Sequence, residues 1–266
     1  RSFLTPTIYS ESSGNYIGLD FHVHNVGEER SNCLFSGSGP RPRPYECEFF
    51  SDLSLWDTFR THLPYQLLTA SAVATGLLRS LQEMTAQEGV VPRWPLASSE
   101  SGCMVGMHAA SFCLEGVYKG YSSLFDVSVI QKAMLVQATQ PVPNLGRNDI
   151  ENYMELGYVT FDADEKAASN TLTYAFDDYI LSRLSYLVGS DSDGDAAFKR
   201  SKNYRNVWPS NGRGGGVNSS TIDTDYYFFC PRYANGDFAC PNIPFGPKAW
   251  DYYTEGDGLQ WSVFVP

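Results

Sequence analysis

The chain has 266 residues and a formal net charge of -11, and 42% of its residues are hydrophobic and 14% aromatic. This length and composition predict a folded protein with a substantial core and exclude a disordered chain. The negative charge argues against nucleic-acid binding, which depends on Lys and Arg replacing counterions along the phosphate backbone. No run of about 20 apolar residues occurs, so the sequence predicts no membrane span.

The first 48 residues are predicted to form short strands and linkers rather than an independent domain. A β-like run extends from Tyr16 to Val23, and glycines interrupt the region on both sides of it. Pro40, Pro42 and Pro44 then follow in close succession, which is typical of a linker.

From Pro64 onward the apolar residues recur at the spacing of an amphipathic helix, as far as Met84. The clearest later helix is expected at 169–188, with Ser169 or Asn170 as its cap and Gly189 at its end. Further helices are predicted near 103–119, 126–139, 147–156 and 195–206.

About six helices in succession predict a mainly α fold built from layered helices. Six is half the number of helices in an (α/α)6 toroid. Residues 208–266 are richer in Gly, Pro and aromatic residues, and we expect them to form long loops on this scaffold.

Four of the six cysteines lie as two close pairs in loop-like sequence, Cys33 with Cys47 and Cys230 with Cys240. Each pair can close as a disulfide. Asn218 begins an Asn-Ser-Ser glycosylation sequon. Together these features favour an oxidising compartment, with the protein secreted, lysosomal or elsewhere in the secretory pathway.

The two remaining cysteines, Cys103 and Cys113, are predicted to lie on one helix. Ten residues at a rise of about 1.5 Å would separate them by roughly 15 Å, which is too far for a mutual disulfide. We interpret both as thiols of the core.

A first candidate binding element combines Trp56, Asp57 and Arg60 within two helical turns. An indole can cover the apolar face of a pyranose, and a carboxylate can accept hydrogen bonds from its hydroxyls. The alternative is a buried Trp beside a capping Asp that pairs with Arg60.

Two other candidates favour structural interpretations. Trp94 could line a pocket and His108 could donate to a sugar hydroxyl, but His108 has no second ligand at metal-binding spacing and is predicted to be a core histidine. The acidic run from Asp191 to Asp195 resembles a calcium loop, yet Lys202 stands where an EF-hand requires Glu. We therefore expect a helix N-terminus with acidic residues there.

A candidate general acid, Glu255, lies among aromatic residues in the glycine-containing loop 251–261. We expect these neighbours to withdraw its carboxyl group from water and to raise its pKa, as protonation of a glycosidic oxygen requires. Asp257 follows two residues later, and the alternative is an exposed acidic turn. The local motifs of serine hydrolases, HExxH metalloproteases, P-loops and dinucleotide-binding folds are absent from the sequence.

Taken in order, these segments resemble the sequence pattern of glycoside hydrolase family 92, with agreement in order and spacing over nearly the whole chain. The matching segments are 45–60, 92–96 with 102–108, 174–179, 200–206 and 253–256. The resemblance implies calcium-dependent, inverting removal of terminal α-linked mannose, for example as an α-1,2-mannosidase. It also implies a β-sandwich followed by an (α/α)6 catalytic domain.

Carried over residue by residue, the resemblance implies that Glu255 is the general acid. Trp56 and Asp57 match the floor of the mannose subsite, and Gln260 is a neighbour of the site. Residues 1–48 would belong to the β-sandwich segment, and residues 49–266 to the first half of the catalytic domain. The resemblance also implies that the general base and most Ca²⁺ ligands belong to a part of the family sequence that follows Pro266. We accordingly interpret this chain as an internal piece of a longer polypeptide.

Two alternatives to an active mannosidase stay open, and the first of them rests on a local departure from the family pattern. The family usually continues Thr-Glu-Gly-Asn-Ala-Trp-Gln-Tyr, whereas this chain has Asp257 and Leu259 at the Asn and Trp positions. A family descendant that no longer hydrolyses, with a carbohydrate-binding, storage or toxin role, is one alternative. The other is a subunit whose half toroid is completed by other chains. If the protein is instead an active mannosidase, we expect its substrate to be an α-mannoside or N-glycan and its partner to be the remainder of the same precursor.

Overall fold

The computed structural model describes residues 6–33, 44–209, 228–240 and 250–264. The chain forms two compact units. The first comprises residues 1–136 and 187–189, and the second comprises residues 137–186 and 190–266.

Among the described residues, the strands are short and lie in the first unit, where they form three antiparallel pairs. The predicted β run at 16–23 folds as one of these hairpins, with Ile17 opposite Val23. The pairs are β1 (Thr7–Ile8) with β4 (Phe50–Ser51), β2 (Asn15–Ile17) with β3 (Val23–Asn25), and β5 (Pro95–Leu96) with β6 (Ser99–Glu100).

Helices supply most of the regular structure in the described part of the chain, which confirms the predicted mainly α fold class. They are α1 (Val26–Glu29), α2 (Leu55–Thr58), α3 (His62–Thr69), α4 (Ser71–Glu88), α5 (His108–Gly116), α6 (Val127–Thr139), α7 (Ile150–Leu156), α8 (Ala167–Leu187), α9 (Asp191–Arg200) and α10 (Gly258–Trp261).

The core of the first unit is built on α4. Its fully buried apolar face contains Leu77, Leu78, Leu81 and Met84, at the three- and four-residue spacing expected from the sequence. The helix ends at Gly89, whose φ of 76° is the left-handed conformation that glycine adopts without steric cost.

The second unit is built on α8, which is buried along most of its length. Asp178 on this helix is fully buried and accepts hydrogen bonds from Arg147, Arg200 and the Tyr153 hydroxyl, at 3.1, 3.1 and 2.8 Å. Burial of this carboxylate is therefore compensated by two guanidinium groups and a hydroxyl.

Several predicted helix ends are wrong. The helix predicted at 103–119 begins at His108, so Cys103 lies before it and is exposed, whereas Cys113 is buried as expected. The predicted caps Ser169 and Asn170 lie inside α8, which begins at Ala167. The first N–H groups at this end are instead accepted by Asp164, whose Oδ1 bonds Lys166 N at 2.8 Å and whose carbonyl bonds Ala167 N at 3.0 Å.

The acidic run at 191–195 forms the first turn of α9, which confirms the predicted helix N-terminus. Ser190 Oγ donates to Asp193 Oδ2 at 2.6 Å just before it. The helix ends at Arg200, and a 3₁₀ turn over Asn203–Val207 replaces the rest of the helix predicted at 195–206.

Both predicted cysteine pairs form disulfides, with Cα atoms 5.4 Å apart in Cys33–Cys47 and 5.6 Å apart in Cys230–Cys240. The sequon at Asn218 lies outside the described residues. Within the described ranges, none of the helices has the length and apolar character needed to cross a bilayer. The assignment of 1–48 and 49–266 to two family domains stays a prediction.

Candidate active site

The predicted mannose subsite residues lie on α2 in the first unit. Leu55 is fully buried and anchors this short helix, while Trp56 is half-buried and Asp57 is exposed. Ser54 Oγ donates to the Asp57 carboxylate, and Thr58 Oγ1 donates to the Ser54 carbonyl at 2.8 Å. The helix therefore presents a partly accessible indole beside a carboxylate.

Arg60 completes this surface. Its Cζ lies 4.9 Å from the Trp56 ring centroid and 4.7 Å from that of Phe59, within cation–π range. Burial lowers the pKa of Arg60, and the charge of Asp57 acts in the opposite direction. An aromatic face, a carboxylate and a guanidinium lie within one short segment, as the sequence indicated.

The backbone before α2 is held in a strained arrangement against β5. Asp52 and Ala97 both adopt left-handed conformations, with φ of 58° and 52°. Ala97 N donates to Asp52 Oδ1 at 2.9 Å, and Ser51 Oγ donates to the Ala97 carbonyl at 2.7 Å. Strained residues persist only where their surroundings hold them, and they are enriched at functional sites.

His108 is a core histidine, as predicted. It is buried, and its ring stacks on Phe59 with centroids 3.8 Å apart and an interplanar angle of 3°. Burial, together with the charges of Arg60 and Arg93, lowers the pKa of His108 to about 3. The imidazole is therefore neutral near pH 7 and stabilises the position of Phe59 by packing.

The candidate acid Glu255 lies in the second unit, just before α10. Its φ of 47° is left-handed, which is uncommon for a non-glycine residue. Its side chain is exposed, so the expectation that aromatic neighbours bury it is wrong for the described chain. Tyr253 and Trp261 turn inward and are buried, at 0% and 6% exposure, which leaves the carboxylate outside.

The residues around Glu255 are firmly anchored. The Tyr253 hydroxyl donates to the Phe229 carbonyl at 2.9 Å, and burial raises the pKa of Tyr253, with the charge of Asp257 adding to this effect. Trp261 Nε1 donates to the Thr254 carbonyl at 3.0 Å. A loop held by hydrogen bonds from buried side chains thus carries an exposed carboxylate.

Gln260 and Asp257 form a capping box at the start of α10. Gln260 N donates to Asp257 Oδ1 at 2.9 Å, and Asp257 N donates to Gln260 Oε1 at 3.0 Å. Asp and Asn are comparable N-cap residues, so Asp257 preserves local structure despite its departure from the family pattern. The carbonyl oxygen of the Gln260 side chain is already used in this cap.

The structure brings Trp56 and Asp57 together in the first unit, and Glu255 and Gln260 together in the second. Sequence reasoning missed the role of Ser169 in the second group. Thr254 N donates to Ser169 Oγ at 3.1 Å, across 85 residues of sequence. No local sequence pattern reveals such a contact.

The sequence resemblance implies a calcium ion, which binds through oxygen ligands such as carboxylates. Among the residues that the structure describes, no three His, Cys, Asp or Glu side chains gather in a group that could hold a metal ion. These residues therefore do not fit a complete calcium site.

Comparison with known protein families decides the assignment. The glycosyl hydrolase family 92 catalytic domain matches residues 1–266, which is the whole chain. The chain belongs to glycosyl hydrolase family 92. A search of curated proteins found no match.

Solved structures of family 92 proteins share the fold. The chain is 24% identical to the GH92 α-mannosidase BT3965 of Bacteroides thetaiotaomicron, with a TM-score of 0.75 over 98% of this chain and 30% of that one. The same enzyme in complex with mannoimidazole gives a TM-score of 0.76, with the same identity and coverage of each chain.

A second relative, the GH92 inverting mannosidase BT2199 of Bacteroides thetaiotaomicron, is also 24% identical, with a TM-score of 0.74 over 98% of this chain and 31% of that one. These likenesses confirm the predicted fold class, a partial (α/α)6 segment preceded by short strands. The chain spans less than a third of the length of these solved family 92 proteins.

Proposed function

We propose that this chain forms part of a glycoside hydrolase that removes terminal α-linked mannose, for example from α-1,2-mannosides or N-glycans. The observation that carries the proposal is the family 92 match over all 266 residues. Mannoimidazole, bound by one structural relative, is consistent with a mannoside substrate.

Trp56 and Asp57 are proposed to contact the mannose ring. The half-buried indole would cover an apolar face of the sugar, and the exposed carboxylate of Asp57 would accept hydrogen bonds from its hydroxyls. The guanidinium of Arg60 lies over the indole of Trp56 and would help to hold the indole in place. Gln260 is proposed as a weaker contact, because its side-chain oxygen already accepts a hydrogen bond from Asp257 N.

Glu255 is proposed as the general acid of an inverting hydrolysis. Its carboxyl proton passes to the glycosidic oxygen as the bond from that oxygen to C1 breaks. A base takes a proton from the attacking water as the new bond between water oxygen and C1 forms. The acid and base of inverting enzymes are about 6.5–9.5 Å apart. We place the base in residues outside this chain.

The carboxylate of Glu255 is exposed in the described part of the chain. A general acid must be protonated near the working pH, which requires withdrawal from water or a nearby negative charge. We therefore propose that further residues of the same protein cover Glu255 and withdraw its carboxyl group from water. If the protein instead works as an assembly of subunits, we propose that another chain covers Glu255 in the same way.

Calcium is proposed as the cofactor, with most of its ligands outside this chain. As a hard cation it prefers oxygen ligands and would bind sugar hydroxyls when present. A secreted or lysosomal location is proposed on the two disulfides, since such bonds persist in oxidising compartments.

A second candidate function is a carbohydrate-binding or other recruited role without hydrolysis. The observation that favours it is Leu259, which stands where the family pattern has Trp and is 53% exposed. A site without that aromatic surface could hold mannose and still fail to distort it for cleavage.

Incubation of the full-length protein with an α-1,2-linked mannose disaccharide separates the two functions. We expect free mannose that appears first as the β-anomer in proton NMR, and its loss after calcium chelation. Binding of mannose by the calcium-loaded protein without release would select the second function instead.

A further inference from the structure

Ser169 makes three hydrogen bonds, and two of them join it to Thr254 in the loop that carries the proposed acid. It is the third residue of α8 and is fully buried. Its Oγ donates to the Lys166 carbonyl at 2.9 Å, accepts from Thr254 N at 3.1 Å, and lies 3.2 Å from Thr254 Oγ1.

The donors and acceptors of this contact can be assigned by counting. A serine hydroxyl has one hydrogen to donate and two lone pairs that accept. Because Lys166 takes the hydrogen, Thr254 supplies both its backbone N–H and its side-chain O–H to Ser169. The hydrogen-bonding capacity of Ser169 is filled, and two of its three bonds go to one residue.

Thr254 directly precedes Glu255, so these bonds act on the backbone of the acid. The Thr254 carbonyl also accepts from Trp261 Nε1 at 3.0 Å, which fixes the peptide group that joins Thr254 to Glu255. Glu255 itself keeps a left-handed φ of 47°. A glutamate stays in that conformation only when its surroundings determine the backbone on either side.

We infer that Ser169 is a positioning residue for Glu255, acting through Thr254. The bond from α8 sets the direction in which the Glu255 carboxyl leaves the backbone and therefore its distance from the glycosidic oxygen. This inference rests on the proposed function of Glu255 as general acid.

The chemistry of the leaving group distinguishes positioning from mere stability. A sugar alkoxide leaves poorly unless it is protonated, so its departure depends on an acid that is correctly placed. A 2,4-dinitrophenolate leaves readily without a proton. Misplacement of the acid therefore slows the first reaction and spares the second, whereas a loss of folded protein lowers both equally.

The test is Ser169→Ala in the full-length protein, with kcat measured on an α-mannose disaccharide and on 2,4-dinitrophenyl α-mannoside. We expect a fall of about 10- to 100-fold on the disaccharide, the range for a small misplacement of a catalytic group, and a change under about 2-fold on the aryl substrate. The matched control is Ser182→Ala, since Ser182 is equally buried on α8 but donates within the helix, to Tyr179 O at 2.7 Å.

A second pair of variants applies if Ser169→Ala does not fold. Thr254→Val removes the hydroxyl and keeps the shape and the backbone N–H, so we expect a smaller loss with the same dependence on leaving group. Thr254→Ser restores the hydroxyl and is expected to restore the rate. Equal losses on both substrates, or unchanged rates on both, would overturn the positioning role.

Glu255→Gln in the same assays keeps the two proposals apart. If Glu255→Gln loses only disaccharide cleavage and Ser169→Ala loses nothing, the acid stands and the positioning role fails. If Glu255→Gln retains normal disaccharide turnover, the assignment of the acid fails first, and the positioning role fails with it.

Discussion

The indole Nε1 of Trp261 donates a 3.0 Å hydrogen bond to the carbonyl of Thr254, seven residues earlier. This bond joins Trp261 to the loop that carries Glu255. In the same loop, Thr254 N donates to Ser169 Oγ on α8. Both bonds end on Thr254, so the residue directly before the exposed Glu255 is fixed by two buried partners.

Trp261→Phe keeps an aromatic ring in place and removes this hydrogen bond. The buried Thr254 carbonyl then loses its partner, which costs about 1–3 kcal/mol of unfolding free energy. Urea denaturation of the full-length protein measures the loss. Trp250→Phe is the control, because Trp250 is 53% exposed and should change the unfolding free energy very little. Equal stability of both variants would show that the bond contributes nothing.

Asp178→Asn is expected to be the most destabilising of these variants. It removes the negative charge that Arg147 and Arg200 share, and it leaves the buried Arg147 guanidinium without its charged partner. Breaking a buried ion pair from one side costs about 3–5 kcal/mol. Asp195→Asn, at an exposed position bonded to Tyr186, should cost far less in the same denaturation series.

The stability of the first unit should depend on pH through His24. Burial lowers the pKa of His24, but hydrogen bonds and charges from Asp20 and Glu29 outweigh this effect and raise it above the ordinary value of 6.5. A raised folded-state pKa stabilises the fold below the unfolded pKa, and the contribution is lost as pH rises through the folded pKa.

The free energy of unfolding of wild type and of His24→Gln, measured from pH 5 to pH 9, tests this pH dependence. We expect the wild type to be more stable at pH 5 and the difference to shrink above about pH 6.5. The substitution Asp20→Asn should also reduce the difference in unfolding free energy that His24→Gln causes, since Asp20 contacts both His24 and His22. If the unfolding free energies of wild type and His24→Gln differ by the same amount at every pH, the proposed contribution of His24 is wrong.

The disulfide between Cys33 and Cys47 should stabilise the first unit. Its two cysteines are 14 residues apart, and closing a loop of that size is worth about 3 kcal/mol. Cys47→Ser should lower the denaturation midpoint accordingly. Cys103→Ser is the control, because Cys103 is a free and exposed thiol. A midpoint equal to that of the control would show that the bond adds no stability.

The sequence predicted elements whose signal is local. The apolar spacing of Leu77, Leu81 and Met84 predicted α4, and the acidic residues at 191–195 predicted the start of α9. Both disulfides followed from close pairs of cysteines in loops. Each of these features depends on residues within about 15 positions of one another, which is the range that helix periodicity and loop closure cover.

Features set by distant contacts could not be predicted in the same way. The local sequence predicts Ser169 as a helix cap, whereas its hydroxyl contacts Thr254, which is 85 residues away in sequence. Glu255 was expected to be buried because aromatic residues flank it, but sequence proximity does not fix the direction of side chains. The left-handed turn at Glu255 is accompanied by buried Tyr253 and Trp261 and an exposed carboxylate.

Glu255 is proposed as the acid of a family 92 mannosidase, and mannose release by the full-length protein tests this role most directly. The comparison is wild type, Glu255→Gln and Glu151→Gln, the last at an exposed position on α7 of the same unit. We predict loss of release by about 100-fold or more in Glu255→Gln, the lower end of a general acid's contribution, and wild-type release in Glu151→Gln. Release by Glu255→Gln at the rate of Glu151→Gln would contradict the claim.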